Sequence, residues 1–564
     1  MEKPGEIMKP EVMLRQFLSV LVMVAFVAAT NSCADEDSNA GGYEDLLALF
    51  EDWREFERPV MRDGAPDYTA ERFAAAYEES KNYQARIHAI DPNGWPVERQ
   101  VDWHLLRAEM NGFDFNHRVL KPWARDPAFY QSVWTNESDT PAHEGPSHHA
   151  LLELWMFEFP LSPDEEAKLI EDLRVIPPLL DQARGNLTGN ARDLWVAGIK
   201  NIKDQRTNLD DIVEMMGEGA GAELSEALSA AQAATSSFAA WLEQQAPSKT
   251  GPSGIGKENY TWYLRNVHYV PLTWEEEVSL LKRELDRAWA SLRLEEHRNR
   301  NIPPLVSIES EQEYDRRANE SVTKYIEFLD QQEILPVLDY YEQAVRERIG
   351  SFVPKERRNF FWTAVHFEPT TLWTHFYHWF DLARMKREPH PSPIRRGPLL
   401  YNIWDSRAEG MATGVEEMMM LSGLYDDNPH AREIVYIMLA QRSARGLGSL
   451  YAHANDYTMQ EAAEFHVRWT PRGWMRKDLD LLAFEQHLYL RQPGYGSSYV
   501  TGKYLIERLL AERSKQVGDA DFRLYDFYDE VNAVGVIPVS LIRWQLTGKD
   551  DEIRALCEDC FHQP

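Results

Sequence analysis

Two histidines and a glutamate carry the strongest chemical signal in this chain. His375 and His378 are three residues apart, so on a helix they share one face, and Glu409 can approach from a second helix. Two imidazoles and a carboxylate are an established ligand set for catalytic zinc, which keeps a fourth position open for water. The spacing therefore predicts a zinc site. The alternative is that both histidines are half-buried, hydrogen-bonded members of an aromatic helix without a metal, since such a pair alone is a weak signal.

Hydrolysis at such a site also needs a base within hydrogen-bond reach of the bound water. The residue after the first histidine is Phe376, which cannot accept a proton. Glu368, Glu416 or Glu417 can replace the missing base if the fold brings one of them there. We predict Glu416 as the catalytic carboxylate and Tyr499 as a hydrogen-bond donor to the substrate or the oxyanion.

A second group of potential metal ligands occupies residues 143–149. Its sequence, His-Glu-Gly-Pro-Ser-His-His, combines a His-Glu pair with two histidines five and six residues after the first. Helical metallopeptidases place two histidine ligands four residues apart on one face, and Gly145-Pro146 disfavours a helix between these candidates. The pattern favours a loop that ends at Ser147 as an N-cap, before a helix that begins near His148.

Four stretches of the C-terminal part form an ordered set of motifs. They are Glu409-Gly410-Met411-Ala412, Pro493-Gly494-Tyr495-Gly496-Ser497-Ser498-Tyr499, Phe527-Tyr528-Asp529 with Gly535 to Pro538, and His453 ahead of a helix start at Thr458. Together they resemble the bacterial family known as domain of unknown function 885, whose members are helical, zincin-like peptidase relatives. Looser similarity extends through the N-terminal half, for example at Asp126-Pro127-Ala128-Phe129-Tyr130.

The resemblance implies a two-lobed, zincin-like helical architecture with a central cleft and a zinc-dependent, peptidase-like activity. It also places aromatic and histidine side chains along that cleft: Trp373, Tyr377, Tyr495 and His453. The zinc motif of the family, His-Glu-x-x-Pro-Gly-His-His, is degenerate here, because the corresponding region reads Trp-Thr-His-Phe-Tyr-His at residues 373–378. The resemblance therefore implies the fold more directly than the reaction.

The pattern of apolar residues predicts an all-α, mostly helical protein. Apolar side chains recur at helical spacing, and runs of alternating β-branched residues are scarce. Helix starts are marked by a hydroxyl residue followed by acidic residues in the first turn, at Ser162, Thr273 and Thr458. A stretch rich in Gly, Pro and Ser at 248–256 predicts a division between an N-terminal helical lobe, 43–247, and a C-terminal helical lobe with the cleft, 257–564.

The first residues have the composition of an export signal. Basic residues precede the apolar run Phe17–Ala29, which suits a signal peptide and is short for a bilayer span. Cys33 follows a small residue, as in a bacterial lipobox, where the cysteine is lipidated. We predict a lipoprotein-type signal peptide at 1–32 and a polar tether at 33–42, and hence a periplasmic or cell-surface protein anchored to the membrane through lipid. An ordinary cleaved signal is the alternative.

The charge of the chain excludes one class of partner. The formal net charge is −31, and an acidic surface repels the phosphates of nucleic acids. Two functions from different classes remain. One is an exported, metal-dependent hydrolase that acts on peptides or related small molecules. The other is a catalytically degenerate, metal-free binding lipoprotein of the same fold.

Overall fold

The structure is a computed structural model, and it describes residues 42–142, 150–217 and 221–557. The predicted signal peptide, Cys33, all but the last residue of the tether and the His-Glu pattern at 143–149 lie outside these residues. Within the described ranges, no helix combines the length and the apolar character needed to cross a membrane.

The prediction of an all-α fold is confirmed, because helices follow one another along nearly the whole described chain. The helices of the N-terminal half are α1 Tyr43–Phe56, α2 Ala70–His88, α3 Val97–Phe115, α4 Pro122–Arg125, α5 Pro163–Asn186, α6 Arg192–Met216, α7 Ala222–Gln245, α8 Lys257–Asn266 and α9 Trp274–Asn299. A π-helical turn, Asn116–Leu120, continues α3.

The C-terminal half continues in the same way, with several short helices around the predicted metal ligands. Its helices are α10 Glu311–Gln331, α11 Tyr341–Arg346, α12 Phe360–Phe367, α13 Thr370–Trp373, α14 Tyr377–Arg387, α15 Pro393–Arg396, α16 Asp405–Leu421, α17 Pro429–His453, α18 Met459–Trp469, α19 Asp480–Arg491, α20 Tyr495–Val517, α21 Leu524–Val534, α22 Val539–Thr547 and α23 Asp551–Leu556.

The strands of the described residues are only two residues long. Strands β1, Met61–Arg62, and β2, Ala65–Pro66, form an antiparallel pair. Strands β3, Val133–Trp134, and β4, Leu152–Glu153, form a parallel pair.

The three predicted helix starts are confirmed, and each is closed by a capping box. The hydroxyl group of Ser162 accepts a hydrogen bond from the Glu165 N–H, and the Glu165 carboxylate accepts one from the Ser162 N–H. Thr273 and Thr458 cap α9 and α18 in the same reciprocal way. These boxes satisfy N–H groups that have no partner within the first turn of a helix.

Three apolar clusters hold the helices together among the described residues, and the smallest joins α6 to α17, α18 and α19. The largest runs from Leu46 in α1 to Leu556 in α23, so α1 and α3 share a core with the C-terminal helices. The second is built mainly on α5, α6 and α7. The lobe boundaries at 247 and 257 stay a prediction.

Helices α16 and α20 cross with their backbones in close contact, and this crossing positions the candidate site. A Cβ atom added to Gly410 would lie 2.4 Å from the carbonyl carbon of Gly502, and one added to Gly502 would lie 2.1 Å from the carbonyl oxygen of Ser406. Only glycine permits so close an approach. The crossing brings Glu409 of α16 beside the N-terminal turn of α20.

Candidate functional site

The two predicted histidine ligands lie on either side of a break between two short helices. Helix α13 ends at Trp373, and His375 lies in the turn that precedes α14, while His378 lies in the first turn of α14. The expectation that one continuous helix carries both is therefore wrong. The turn is tightened by a hydrogen bond from the Tyr377 N–H to the Thr374 carbonyl, 3.3 Å. The two imidazole rings nevertheless meet edge to face, with centroids 5.0 Å apart.

Glu409 completes a compact group of three potential ligands. One donor atom from each of His375, His378 and Glu409 lies within 4.8 Å of the other two, and all three residues are buried. Nε2 of His378 lies 3.2 Å from Oε2 of Glu409. The other carboxylate oxygen, Oε1, accepts a 2.5 Å hydrogen bond from the hydroxyl of Tyr495. We call these three residues the His/Glu cluster.

The dimensions of the cluster can be compared with those of a zinc site. Ligand atoms on one tetrahedral zinc lie roughly 3.3 Å apart, given Zn–N and Zn–O distances of about 2.0–2.1 Å. The 3.2 Å separation of His378 and Glu409 matches this spacing. The 4.8 Å limit for the whole group means that His375 needs a small side-chain adjustment to join them. The donor set therefore fits zinc in type and nearly fits it in geometry.

His375 is held by two charged groups of opposite sign. Its Nδ1 lies 3.0 Å from Oε1 of Glu416 and 3.1 Å from Nη2 of Arg442. The same Glu416 oxygen lies 2.6 Å from Arg442. If Nδ1 carries the proton, it donates to Glu416 and leaves Nε2 available to a metal; if it does not, it accepts from Arg442. The surroundings thus support both tautomers.

The charges within the cluster differ between its two histidines. Burial alone would lower the pKa of His378, but the negative charges of Glu409 and Asp139 raise it to about 9. Burial and the nearby charge of Arg442 hold the pKa of His375 well below its usual range. Despite its burial, the pKa of Glu409 is lowered, mainly by the charge of His378. Without a metal, the cluster at neutral pH is an imidazolium–carboxylate pair beside a neutral imidazole.

The predicted replacement bases have different surroundings. Glu417 is bound by Arg287 through two hydrogen bonds of 2.6 and 2.7 Å and also pairs with Lys503. Glu368 accepts hydrogen bonds from Thr370 and Asn428. Only Glu416 of the three touches the cluster.

Asp139 is a carboxyl group near the cluster that sequence reasoning missed. It lies between β3 and the end of the first described range, and it is half-buried. Burial raises its pKa, and the charges of His378 and Glu409 act on it directly. Its neighbours Ser138 and Thr140 share a 2.8 Å hydrogen bond, which shapes the segment. No helical or strand periodicity marks this segment, although the aspartate lies four residues before the His-Glu pattern at 143.

Tyr499 lies beside the cluster, one turn along α20 from Tyr495. Its ring is stacked with that of His375, with centroids 6.4 Å apart. The guanidinium of Arg445 lies 3.9 Å from the centroid of the Tyr499 ring and forms a 2.6 Å ion pair with Glu485. The side chain is almost fully buried.

The four residues predicted to line a cleft are all packed in the core. Tyr495 holds Glu409, as described above. The indole N–H of Trp373 donates to the hydroxyl of Ser321 at 2.6 Å, and the hydroxyl of Tyr377 donates to Asn532 at 2.8 Å. Nε2 of His453 lies 2.8 Å from the carbonyl oxygen of Tyr489. Each of these residues is at most 1% exposed, so all four are buried in the packed core.

Open space lies nearby but does not touch the three ligands. A cavity of about 360 Å³ is lined by residues of α1 to α4, of the segment before α16 and of the link between α19 and α20. Asp405, one helical turn before Glu409 on α16, belongs to its lining. His375, His378 and Glu409 do not.

Comparison with known proteins relates the chain to one family and to solved structures of the same fold. The family described as "Bacterial protein of unknown function (DUF885)" matches residues 56–348, just over half of the chain and N-terminal to the His/Glu cluster. A "putative lipoprotein of unknown function" from Shewanella oneidensis is similar over 90% of this chain and 100% of its own, with TM-score 0.65 and 15% identity. A "putative lipoprotein" from Colwellia psychrerythraea is similar over 90% and 97%, with TM-score 0.59 and 12% identity. None of the curated proteins matches.

Proposed function

The chain belongs to the DUF885 family of bacterial proteins of unknown function, and on this premise we propose that it is an exported, metal-dependent hydrolase of zincin-like descent. Its substrates are peptides or related small molecules. His375, His378 and Glu409 hold the metal, which is zinc by the nature of the donors. The observation that carries the proposal is the convergence of two imidazoles and one carboxylate, all buried, within 4.8 Å.

Two residues around the cluster, Tyr495 and Glu416, have positioning roles in this proposal. Zinc, when bound, lowers the pKa of a coordinated water and polarises a carbonyl group. Tyr495 fixes one oxygen of Glu409 through its 2.5 Å hydrogen bond and leaves the other oxygen toward His378. An oxygen of Glu416 can accept a hydrogen bond from the Nδ1–H of His375, and in this tautomer Nε2 carries no proton and is available to the metal. Such second partners orient metal ligands and raise their basicity.

Asp139 is a better candidate than Glu416 for the base that Phe376 cannot supply. Burial raises the pKa of Glu416 to about 8, so that carboxyl is largely protonated at neutral pH. It is also almost fully buried and lies against Arg442. Asp139 is only half-buried, and burial raises its pKa, which makes it a stronger base than an ordinary aspartate. We therefore assign proton abstraction from water to Asp139 and the orientation of His375 to Glu416.

Tyr499 is the proposed donor to the oxyanion. Its ring lies against His375 on one side and Arg445 on the other, which holds it in one place. A hydroxyl group in a water-poor site stabilises a developing negative charge more strongly than it would in water.

A metal-free binding protein is the second candidate, and one observation favours it. The charged pair of His378 and Glu409 is complete without a metal, and Arg442 can donate to Nδ1 of His375. A buried pair satisfied in this way has no need of a cation. In this case the cluster stabilises the core, and the protein binds its ligand elsewhere.

We also propose that the protein is a lipoprotein of the periplasm or cell surface. The lipobox-like Cys33 follows a signal-type apolar run. Two solved structures of the same fold carry the description "putative lipoprotein". Growth in radiolabelled palmitate should label the wild-type protein and leave Cys33→Ala unlabelled, whereas equal labelling of both would contradict this assignment.

The metal proposal is tested by the metal content of the purified mature protein, measured by elemental mass spectrometry. We expect close to one zinc per chain in the wild type and a loss of most of it in His378→Gln and Glu409→Gln. His297→Ala is the matched control, because His297 lies exposed on α9, away from the cluster. Absence of metal after zinc is added back to the wild type would overturn the proposal in favour of the binding protein.

The base is tested separately with Asp139→Asn. If Asp139 is the base, this variant keeps its zinc and loses hydrolysis of any peptide found in a substrate screen by about 100-fold or more. Glu137→Gln is the control, since Glu137 lies in the same segment, is exposed and pairs with Arg348. Equal activity of the two variants would show that Asp139 has no role in proton transfer.

A further inference from the structure

The cavity described above has the size and position of a small-molecule site. Its volume of about 360 Å³ lies within the range of known ligand pockets, roughly 300–1,000 Å³. It forms where the ends of α1 and α3 face the segment that leads into α16. Its lining residues are spread through the sequence from Arg54 to Pro493, so the cavity exists only in the folded protein.

Aromatic rings form much of the cavity wall. Phe73 is stacked on Trp123 with ring centroids 3.8 Å apart, and Phe56 lies 5.4 Å from Phe113. Tyr401 adds a further ring. Such surfaces bind apolar groups, and their faces also attract cations.

A buried carboxyl group without a hydrogen-bond partner lies in the same lining. Asp405 is 0% exposed, and neither of its side-chain oxygens has a hydrogen-bond partner among the described residues. The nearest basic group is Nδ1 of His268, 3.4 Å from Oδ2. Burial lowers the pKa of His268 to about 4, so this imidazole is neutral and supplies no positive charge. A buried polar group of this kind costs free energy unless a ligand satisfies it.

Three of the four guanidinium groups in the lining are paired with carboxylates other than Asp405. Arg54 forms two hydrogen bonds with Glu109, and Arg491 lies 2.8 Å from Asp126. Arg58 is exposed and pairs with Glu55. Arg72 is half-buried at the edge of the cavity.

A second carboxyl group, Glu57, adds to the acidic character of the lining. Its Oε1 accepts a 2.6 Å hydrogen bond from the Tyr401 hydroxyl. Burial raises the pKa of Glu57 to about 8 and, together with the charge of Glu409, raises that of Asp405 well above its usual range. A ligand cation would restore the charged form of either group.

We propose that this cavity binds a small organic ammonium compound, whose charged nitrogen contacts Asp405 and whose apolar body packs on the aromatic walls. The proposal does not depend on the metal centre, because none of the three proposed ligands lines the cavity. An anionic compound is disfavoured, since three of the four arginines in the lining already pair with carboxylates and an anion would leave Asp405 without a partner.

The test is isothermal titration of the full purified protein with 2-phenylethylammonium, beside 3-phenylpropionate as an anion of similar size. We expect the ammonium compound to bind with one site per chain and the anion to bind at least about tenfold more weakly. Two variants locate the site. Asp405→Asn removes the charge, and Ala76→Phe fills the cavity from α2, where Ala76 is half-buried.

Both variants should weaken ammonium binding by about tenfold or more, while Asp427→Asn, at an exposed carboxylate paired with Lys324, should leave it unchanged. Thermal unfolding of each variant shows whether it is folded, and Ala76→Phe keeps the test valid if Asp405→Asn is not. No binding to the wild type at about 1 mM ligand, tighter binding of the anion, or unchanged binding in both variants would overturn the proposal.

Discussion

The His/Glu cluster and the cavity lie one helical turn apart on α16, and they differ in how their acidic groups are paired. In the cluster, Glu409 is bound by His378 on one side and by Tyr495 on the other. In the cavity, Asp405 has a neutral histidine nearby and no hydrogen bond to either oxygen. Yet the cavity offers room for a ligand, while the cluster is closely packed.

The potential metal ligands and the cavity that can hold a small molecule therefore occupy different parts of this molecule. A set of metal-type donors is found where the helices pack most tightly, at the crossing of α16 and α20. The unsatisfied carboxyl group is found where the packing leaves a gap. A ligand site can therefore be inferred from the cavity even if the cluster proves to be structural.

The first prediction compares substitutions of Glu409 and Asp405, and the Glu409 substitution should change the free energy of unfolding more than any other described below. Glu409→Gln should lower the free energy of unfolding by about 3–5 kcal/mol in metal-free protein, because it leaves the buried His378 without its charged partner. Asp405→Asn should change it by less than about 1 kcal/mol, because the native carboxyl group makes no hydrogen bond that an amide would lose. Urea unfolding measures both changes in the free energy of unfolding. Equal changes for the two substitutions would contradict the proposed difference in how the two carboxyl groups are paired.

The second prediction, with a smaller change in the free energy of unfolding, tests the close crossing of α16 and α20. Gly410→Ala should lower the free energy of unfolding by about 2–3 kcal/mol, because the added methyl group meets the backbone of Gly502. Gly397→Ala is the matched control, since a Cβ there has no neighbour within 4 Å. If both substitutions are neutral, the close backbone contact between α16 and α20 does not exist in solution.

The smallest of these effects uses pH to detect the cavity's acid. Burial raises the pKa of Glu57 from its ordinary 4.5 to about 8, so the folded protein holds a proton that the unfolded chain has lost, and stability falls as pH rises through this window. Glu57→Gln cannot ionise and should exceed the wild type in free energy of unfolding by on the order of 2 kcal/mol at pH 9, and by almost nothing at pH 5. Glu55→Gln, at an exposed position, should show no such dependence. If the free energies of unfolding of Glu57→Gln and the wild type differ by the same amount at pH 9 and at pH 5, burial does not raise the pKa of Glu57.

The elements that follow local rules could be predicted from the sequence. Hydroxyl residues followed by acidic ones mark the starts of α5, α9 and α18 because capping depends on neighbours three residues away. The grouping of His375, His378 and Glu409 was also predicted, since two share a local spacing and the third belongs to a motif that resembles the family. Their role as metal ligands stays a prediction.

What the sequence could not show depends on long-range packing. The break at residues 374–376 follows from how two short helices fit into the core, and no proline or glycine marks it. Asp139 approaches the cluster from an irregular segment that has no periodicity to locate it. The cavity joins Glu57 to Asp405, which are too distant in sequence for any pattern to connect them.

Cobalt(II) titration of the metal-free protein, followed by visible absorption, tests whether His375, His378 and Glu409 bind a metal. Cobalt replaces zinc in nitrogen and oxygen sites, and its absorption reports the coordination geometry. We expect saturation at one cobalt per chain with the intense bands of a four-coordinate site, and loss of these bands in Glu409→Gln but not in Asp405→Asn. Absence of such bands in the wild type, or their persistence in Glu409→Gln, would contradict a metal centre at His375, His378 and Glu409.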